Sequence, residues 1–269
     1  MTATAPKLKV WRTAIETNKV VLQNLGFLAR AGLVWLLLAV VLLTGLDWLS
    51  ARHGNKSSDS MLTPADIANY IAQSLVQAAC LAAFAVAWHR RILHSPIAAQ
   101  AQTMPLILHY GLVAFILDAI FTLSFSLPLL GSSDDPSVIK VVAFIAILLL
   151  AIYLWCRAML VLPAIAIGAD SSFATAWQAT RGNGWRLVTS SILTALLPII
   201  GYMLFIAAYP FLTTSSEQIA TSIDKPATWD RVEALLSNAF VVIFAVIGIA
   251  FLSFAYRELV LKRAEAPNP

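Results

Sequence analysis

Asp118 is the residue whose type and place most directly imply chemistry. It stands in the apolar run AFILDAIFTLSF, thirteen residues past Pro105. A carboxyl group inside so apolar a run is costly to bury, and an intramembrane ionisable side chain is by default a candidate functional site. The preceding apolar run carries Asn69, Gln73 and Gln77 at intervals of four, which lines their side chains along one helix face. At 1.5 Å per residue, Asp118 lies ~20 Å from the start of its run, while Gln73 and Gln77 lie ~9 Å and ~15 Å from the opposite surface. In a hydrocarbon layer ~30 Å thick the acid therefore meets either amide at one level. Two readings are open: a protonatable site in a polar seam, whose amides hydrogen-bond either form of the carboxyl, or an Asp–Gln clamp that holds two helices together. One acid without a second titratable partner makes a poor proton relay, which favours the clamp.

The second constellation is the segment from Trp155 to Leu187, WCRAMLVLPAIAIGADSSFATAWQATRGNGWRL, a polar elbow between two apolar runs. Pro163 limits the incoming helix, and Asp170, Ser171 and Ser172 supply oxygens that cap a new short one. That helix places Phe173, Ala176, Trp177 and Thr180 along one side. Gly182, Asn183 and Gly184 end it, because Gly and Asn reach the left-handed conformation. Trp177, Trp185, Arg181 and Arg186 suit the headgroup level of a bilayer. Arg157, Arg181, Gly182, Asn183, Gly184, Trp185 and Arg186 together offer guanidiniums and backbone N–H groups suited to an anionic lipid headgroup. The competing reading is an anchored turn that sets the angle between the surface helix and the next span. Arg157 is expected to snorkel to the interface rather than partner Asp118.

Other chemistry finds little support. His89, His94 and His109 flank one surface without metal-ligand spacing. Cys80 and Cys156 lie in apolar runs and form no disulfide framework or CxxC pair. There is no GxxxxGK[ST] loop or HExxH, and neither a nucleophile beside a base nor paired carboxylates. No catalytic residue, metal or cofactor is assigned. The hydroxyls of Thr189, Ser190, Ser191 and Thr194 indicate helix packing first.

The elements that must position these residues follow from composition. The chain has 269 residues, 59% hydrophobic and 12% charged, with mean hydropathy +0.80, against about 25% charged for an average soluble domain. It reads as a single all-α membrane domain, residues 1–269, with six spans at 28–48, 67–88, 105–130, 138–162, 185–213 and 232–256. Each run meets the length of about 20 residues that a spanning helix needs. Residues 8–24 read as an amphipathic surface helix presenting Leu8, Trp11, Ile15 and Leu22. An interfacial helix is expected between spans four and five, a kink at Pro198, and a short cytoplasmic tail over 257–269. A charged lead of about thirty residues is longer than the n-region of a cleavable signal, so the first span is expected to stay as an anchor.

Charge orders these spans. Lys7, Lys9, Arg12, Lys19, Arg30, Arg90, Arg91, Arg157, Arg181, Arg186, Arg257, Lys262 and Arg263 fall on one side, and only Arg52, Lys56, Lys140, Lys225 and Arg231 on the other. The positive-inside rule puts both termini and the elbow in the cytoplasm. The net charge of +4 is thereby explained by topology, and nucleic-acid binding is excluded. Trp88-His89-Arg90, Trp155-Cys156-Arg157 and Ala255-Tyr256-Arg257 echo one another, which aromatic-plus-Arg marking of an interface explains more simply than duplication.

The elbow also resembles a known group. Arg157, Leu162-Pro163-Ala164, Ser172-Phe173, Ala176-Trp177, Thr180-Arg181-Gly182-Asn183 and Trp185-Arg186-Leu187 are similar to the corresponding segment of poorly characterised bacterial integral membrane proteins related to the glycerophosphodiester phosphodiesterase membrane-domain and YciC-like families. The match covers the elbow, and the other runs only by hydropathy. It implies a six-helix protein of the bacterial inner membrane. It implies no activity, because catalysis in those phosphodiesterases belongs to a separate soluble barrel. The expected role is therefore non-enzymatic, in lipid or envelope homeostasis or as an accessory subunit, with membrane lipids and, in the subunit case, a membrane protein as partners. The alternatives are a small transporter using the Asp118 seam and the Pro198 break, and, least supported, an intramembrane enzyme.

Overall fold

Helices are the structure that apolar runs of this length must take, since a helix satisfies its own backbone N–H and C=O groups where water is absent. The computed structural model describes residues 7–52, 64–93, 103–126, 138–217 and 227–262. Among these there is no strand, and six helices are long and apolar enough to cross a membrane: Leu25–Ser50, Ala65–Leu93, Thr103–Ser124, Val141–Ile167, Gly184–Ala208 and Ala234–Leu261. The protein is an all-α, multi-pass membrane protein. Its helices are α1 (Val10–Gln23), α2 (Leu33–Arg52), α3 (Pro64–Leu93), α4 (Thr103–Ser126), α5 (Val138–Ala158), α6 (Val161–Ile167), α7 (Phe173–Ala179), α8 (Gly184–Glu217) and α9 (Ala227–Tyr256). A wide-pitched turn, Leu28–Gly32, leads into α2, and another, Arg257–Leu261, ends α9.

The packing is a ring with attachments. α3, α4, α5, α8 and α9 each touch the next, and α9 closes on α3. α2 lies outside against α3 and α9, where Ala39, Val40, Leu43, Cys80 and Val242 form a small core of their own. The main core sits at the elbow end, around Phe84, Trp88, Leu160, Ile165, Leu187 and Leu259. α5 is buried mainly in its second half. Between Val138 and Leu150 its described side chains are exposed except for the half-buried Phe144 and Leu148.

Two elements depart from the sequence reading. The fourth span does not continue as one helix to residue 162. α5 stops at Ala158, the chain turns at Met159 and Leu160, and α6 follows with every residue buried. Pro163 is the third residue of α6, where a missing N–H breaks no intrahelical bond. α6 packs among α3, α4 and α9 at the elbow end, and Arg90 Nε donates to its late carbonyl Ala166 O at 2.9 Å. The interfacial helix expected between spans four and five is present as α7, capped at Ser172, whose Oγ accepts from the Thr175 N–H.

The second departure concerns α1, which is a packed element rather than a helix lying only on a surface. It rests on α8 and α9, with Thr13, Ala14 and Thr17 buried. The Thr13 and Thr17 hydroxyls donate back to Lys9 O and Thr13 O, so both polar groups enter the contact already satisfied. Trp11 and Ile15 remain 69% and 62% exposed, as the amphipathic pattern requires, but Leu8 is buried.

α8 runs as one helix from Gly184 to Glu217, through Pro198, the place of the expected kink. A proline in a helix leaves the carbonyl four residues earlier without its donor. Here that carbonyl is Thr194 O, and the Asn18 side chain of α1 donates to it at 3.3 Å, its other amide hydrogen going to Ala14 O at 3.0 Å.

Candidate functional site: a cavity inside the bundle with one acidic pole

The ring encloses a cavity of about 400 Å³, within the size range of small-molecule sites. It exists because small residues face one another where large ones would close the gap: Ala78 and Ala82 on α3, Ala114 on α4, Ala245 and Gly248 on α9. α4 contributes Tyr110, Ala114 and Asp118 at intervals of four, one continuous face. Trp155 and Cys156 of α5, Met159 of the turn after it, Leu162 of α6 and Ser191 of α8 complete the wall with Phe244, Ile249 and Leu252 of α9. Along α4, Tyr110 and Asp118 are separated by ~12 Å.

At the acidic pole, Asp118 lies close to the Ser74 side chain, and Ser74 and Gln77 line the same space. Gln73 is not part of it. Its Nε2 donates to Asp47 Oδ1 at 2.7 Å, and Asn238 Nδ2 donates to Asp47 Oδ2 at 2.7 Å and to Thr44 Oγ1 at 3.3 Å. Residues four apart on a helix are turned ~40° from each other, enough for Gln73 to face α2 while Gln77 faces the cavity. The single seam expected from Asp118, Gln73 and Gln77 is thus two sites, a cavity-facing acid and a filled carboxylate clamp. Asp47 was missed because it precedes Trp48, at the end of its run, where an acid is unremarkable. The available signal was Thr44 and Asp47 on one helix face, with an amide, Asn238, inside the last span.

Toward the elbow end the cavity meets a buried polar chain. Ser253 Oγ donates to Ile249 O at 3.1 Å, so it accepts from His89 Nδ1 at 2.7 Å. His89 Nε2 then accepts from the Tyr110 hydroxyl at 3.1 Å. His89 is fully buried, not at the surface where the sequence reading put it, whereas His109 is exposed; His94 lies outside the described residues. Among the described residues no group of His, Cys, Asp or Glu could hold a metal ion. Cys156 Sγ lies 3.7 Å from Ser191 Oγ. Trp155 Nε1 is a buried donor with no hydrogen-bond partner. Its ring packs 5.3 Å from that of Phe121, one turn beyond Asp118 on α4.

The elbow residues are mostly committed to internal contacts. Arg157 does not snorkel: it is 6% exposed, donating to Thr180 Oγ1 at 2.8 Å, Trp177 O at 2.8 Å and Tyr153 OH at 3.1 Å. Its guanidinium lies 3.3 Å over the Trp177 ring. Thr180 caps the C-terminus of α7, so the cation sits at the negative end of that helix. Asn183 Oδ1 accepts from Leu8 N at 2.9 Å, and Arg186 Nη1 donates to Leu8 O at 2.9 Å. One residue of the N-terminal segment is therefore held at both backbone groups. Gly182 has φ +77°, and a Cβ on Gly184 would lie 2.6 Å from the Tyr153 hydroxyl. Arg181, Trp185 and Arg186 are exposed. The anchored-turn reading accounts for Arg157, Gly182, Asn183, Gly184 and the Nη1 of Arg186. Arg181, Trp185 and the rest of the Arg186 guanidinium are accessible to a headgroup.

Comparison with known proteins adds no relative to this geometry: no protein family, curated protein or solved structure matches the chain.

Proposed function

We propose that this is a non-enzymatic protein of a bacterial inner membrane that takes a small amphiphilic molecule into the cavity of its bundle, as a transporter or lipid-handling protein does. The observation that carries the reading is the placement of Asp118 and Gln77 on the wall of an otherwise apolar cavity of about 400 Å³. A site that is mostly apolar with a few convergent polar groups is the ordinary form of a small-molecule site. The positive-inside rule, applied to Arg90, Arg91, Arg157, Arg181, Arg186 and Arg257, turns the elbow end and both termini toward the cytoplasm. In that orientation the buried α6 closes the cytoplasmic end of the cavity and the acidic pole faces the outer half of the membrane. The elbow's resemblance to the phosphodiesterase membrane-domain and YciC-like families fits the same setting.

A second reading, as an accessory subunit, is supported by the first half of α5, whose described apolar side chains are mostly exposed. Mass spectrometry of the protein, extracted gently from its native membrane, tests both. A stoichiometric amphiphile lost from the Ala114→Leu variant supports the cavity. A stoichiometric protein with no such molecule makes the chain a subunit and overturns the first reading.

A further inference from the structure

Two intramembrane carboxylates differ in how far they are satisfied. Asp47 receives an amide donor on each oxygen, both at 2.7 Å, which is the form of a closed structural clamp. Asp118 has no such pair of donors among the described residues, only the Ser74 side chain close by, although an ionised carboxylate has about four acceptor sites. It faces a cavity whose described lining contains no Lys or Arg. The Trp155 indole lines the same cavity. From there to Tyr110 the walls are mostly apolar, with Cys156 and Ser191 among them.

On the reading that this cavity is a ligand site, we infer that its ligand is an amphiphile with a cationic amine head. The ammonium donates to Asp118 and lies near the Trp155 ring, where a cation gains from the quadrupole of the indole. The hydrocarbon body lies along Leu81, Ala114 and Ile249 toward the elbow end. An anionic head would set two like charges together in a medium that screens them poorly. A neutral head would leave the carboxylate without a countercharge. The Gln77 amide on the cavity wall hydrogen-bonds an oxygen adjacent to the amine, which makes an amino-alcohol type of head the best match.

The test uses the full chain in detergent at pH 7 and three probes of equal length, dodecylamine, dodecanol and dodecanoate, counted by native mass spectrometry. The expected result is one dodecylamine per chain, held more tightly than dodecanol, with dodecanoate excluded. Asp118→Asn lowers dodecylamine affinity about 10-fold to 100-fold, the worth of a charge-assisted hydrogen bond, and leaves dodecanol unchanged. Asp118→Glu, which keeps the charge, retains the preference and shows that loss in the Asn variant is not misfolding. Ala114→Leu, which fills the cavity, removes all specific binding. Equal affinity for the three probes, or no effect of Asp118→Asn, overturns the amine assignment while the Ala114→Leu result still stands for the cavity. Binding that Ala114→Leu leaves intact, or no binding of any probe by the wild type, overturns the cavity itself and the amine assignment with it.

Discussion

Removing the Asn18 amide is predicted to destabilise the protein only while residue 198 is proline. Pro198 has no N–H to give to Thr194 O, and Asn18 Nδ2 donates to that carbonyl from α1 at 3.3 Å. Asn18→Leu keeps the branched side-chain shape and strands the carbonyl. An unsatisfied buried polar group costs roughly 1–3 kcal/mol, but hydrogen bonds between membrane helices average nearer ~0.6 kcal/mol. The long 3.3 Å contact argues for the lower end, so we predict a loss of ~1 kcal/mol, about fivefold in the unfolding constant. Pro198→Ala restores an N–H four residues after Thr194 and should make Asn18→Leu nearly neutral. The coupling is measured by a double-mutant cycle using reversible unfolding in mixed micelles. An equal cost for Asn18→Leu in the wild-type and Pro198→Ala backgrounds would refute the reasoning, because it would place the role of Asn18 in packing or in its Ala14 bond alone.

Three further outcomes follow from the same geometry. Arg157→Leu leaves Trp177 O and the end of α7 without their cation and should cost ~3 kcal/mol; Arg157→Lys should recover only part of this, since an ammonium cannot reproduce a planar fork that also stacks on Trp177. Both are read as thermal denaturation midpoints in detergent. Gly184→Ala drives a Cβ into Tyr153 and should cost about 1–3 kcal/mol, a loss that Tyr153→Leu relieves in the double variant despite removing one Arg157 partner. Asp47→Ala, which leaves the Gln73 and Asn238 amides without their acceptor, should lower stability by about 2–4 kcal/mol. In the same assay Asp118→Asn should change stability by less than ~1 kcal/mol, because Asp118, unlike Asp47, has no pair of amide donors to lose among the described residues.

Much of the architecture was legible because bilayer thickness and backbone satisfaction leave so few options. The six spans, the helix α7 capped by Ser172 and the left-handed turn at Gly182 follow from run length, capping oxygens and glycine alone. What could not be read were distinctions set by helix rotation and by contacts between distant segments. Gln73 and Gln77 share a face at the resolution of sequence spacing, yet the small rotation between them sends one to Asp47 and the other to the cavity. Arg157 looked like an interfacial residue because nothing in its own run marks the Trp177 and Thr180 acceptors, twenty and more residues later in the chain, that allow it to be buried. The Leu8 clamp and the Asn18 contact with Thr194 join segments more than 170 residues apart, beyond any local pattern. The break before α6 is placed by its burial among three helices, not by Pro163, which sits where proline is tolerated.

A ligand site at Asp118 requires a cavity that small molecules can enter, and cysteine reactivity reads that entry. In protein with Cys80 and Cys156 replaced by Ala, single cysteines at Ala114, which lines the cavity, and at Ala85, which is fully buried in the core, are compared for their rate of reaction with iodoacetamide. The cysteine at position 114 should react at least ~10-fold faster, as the difference between an open cavity and a close-packed interior requires, and dodecylamine should protect it. Equal, slow reaction at both positions would refute the ligand site, because Ala114 would then be packed against its neighbours with no space for a ligand.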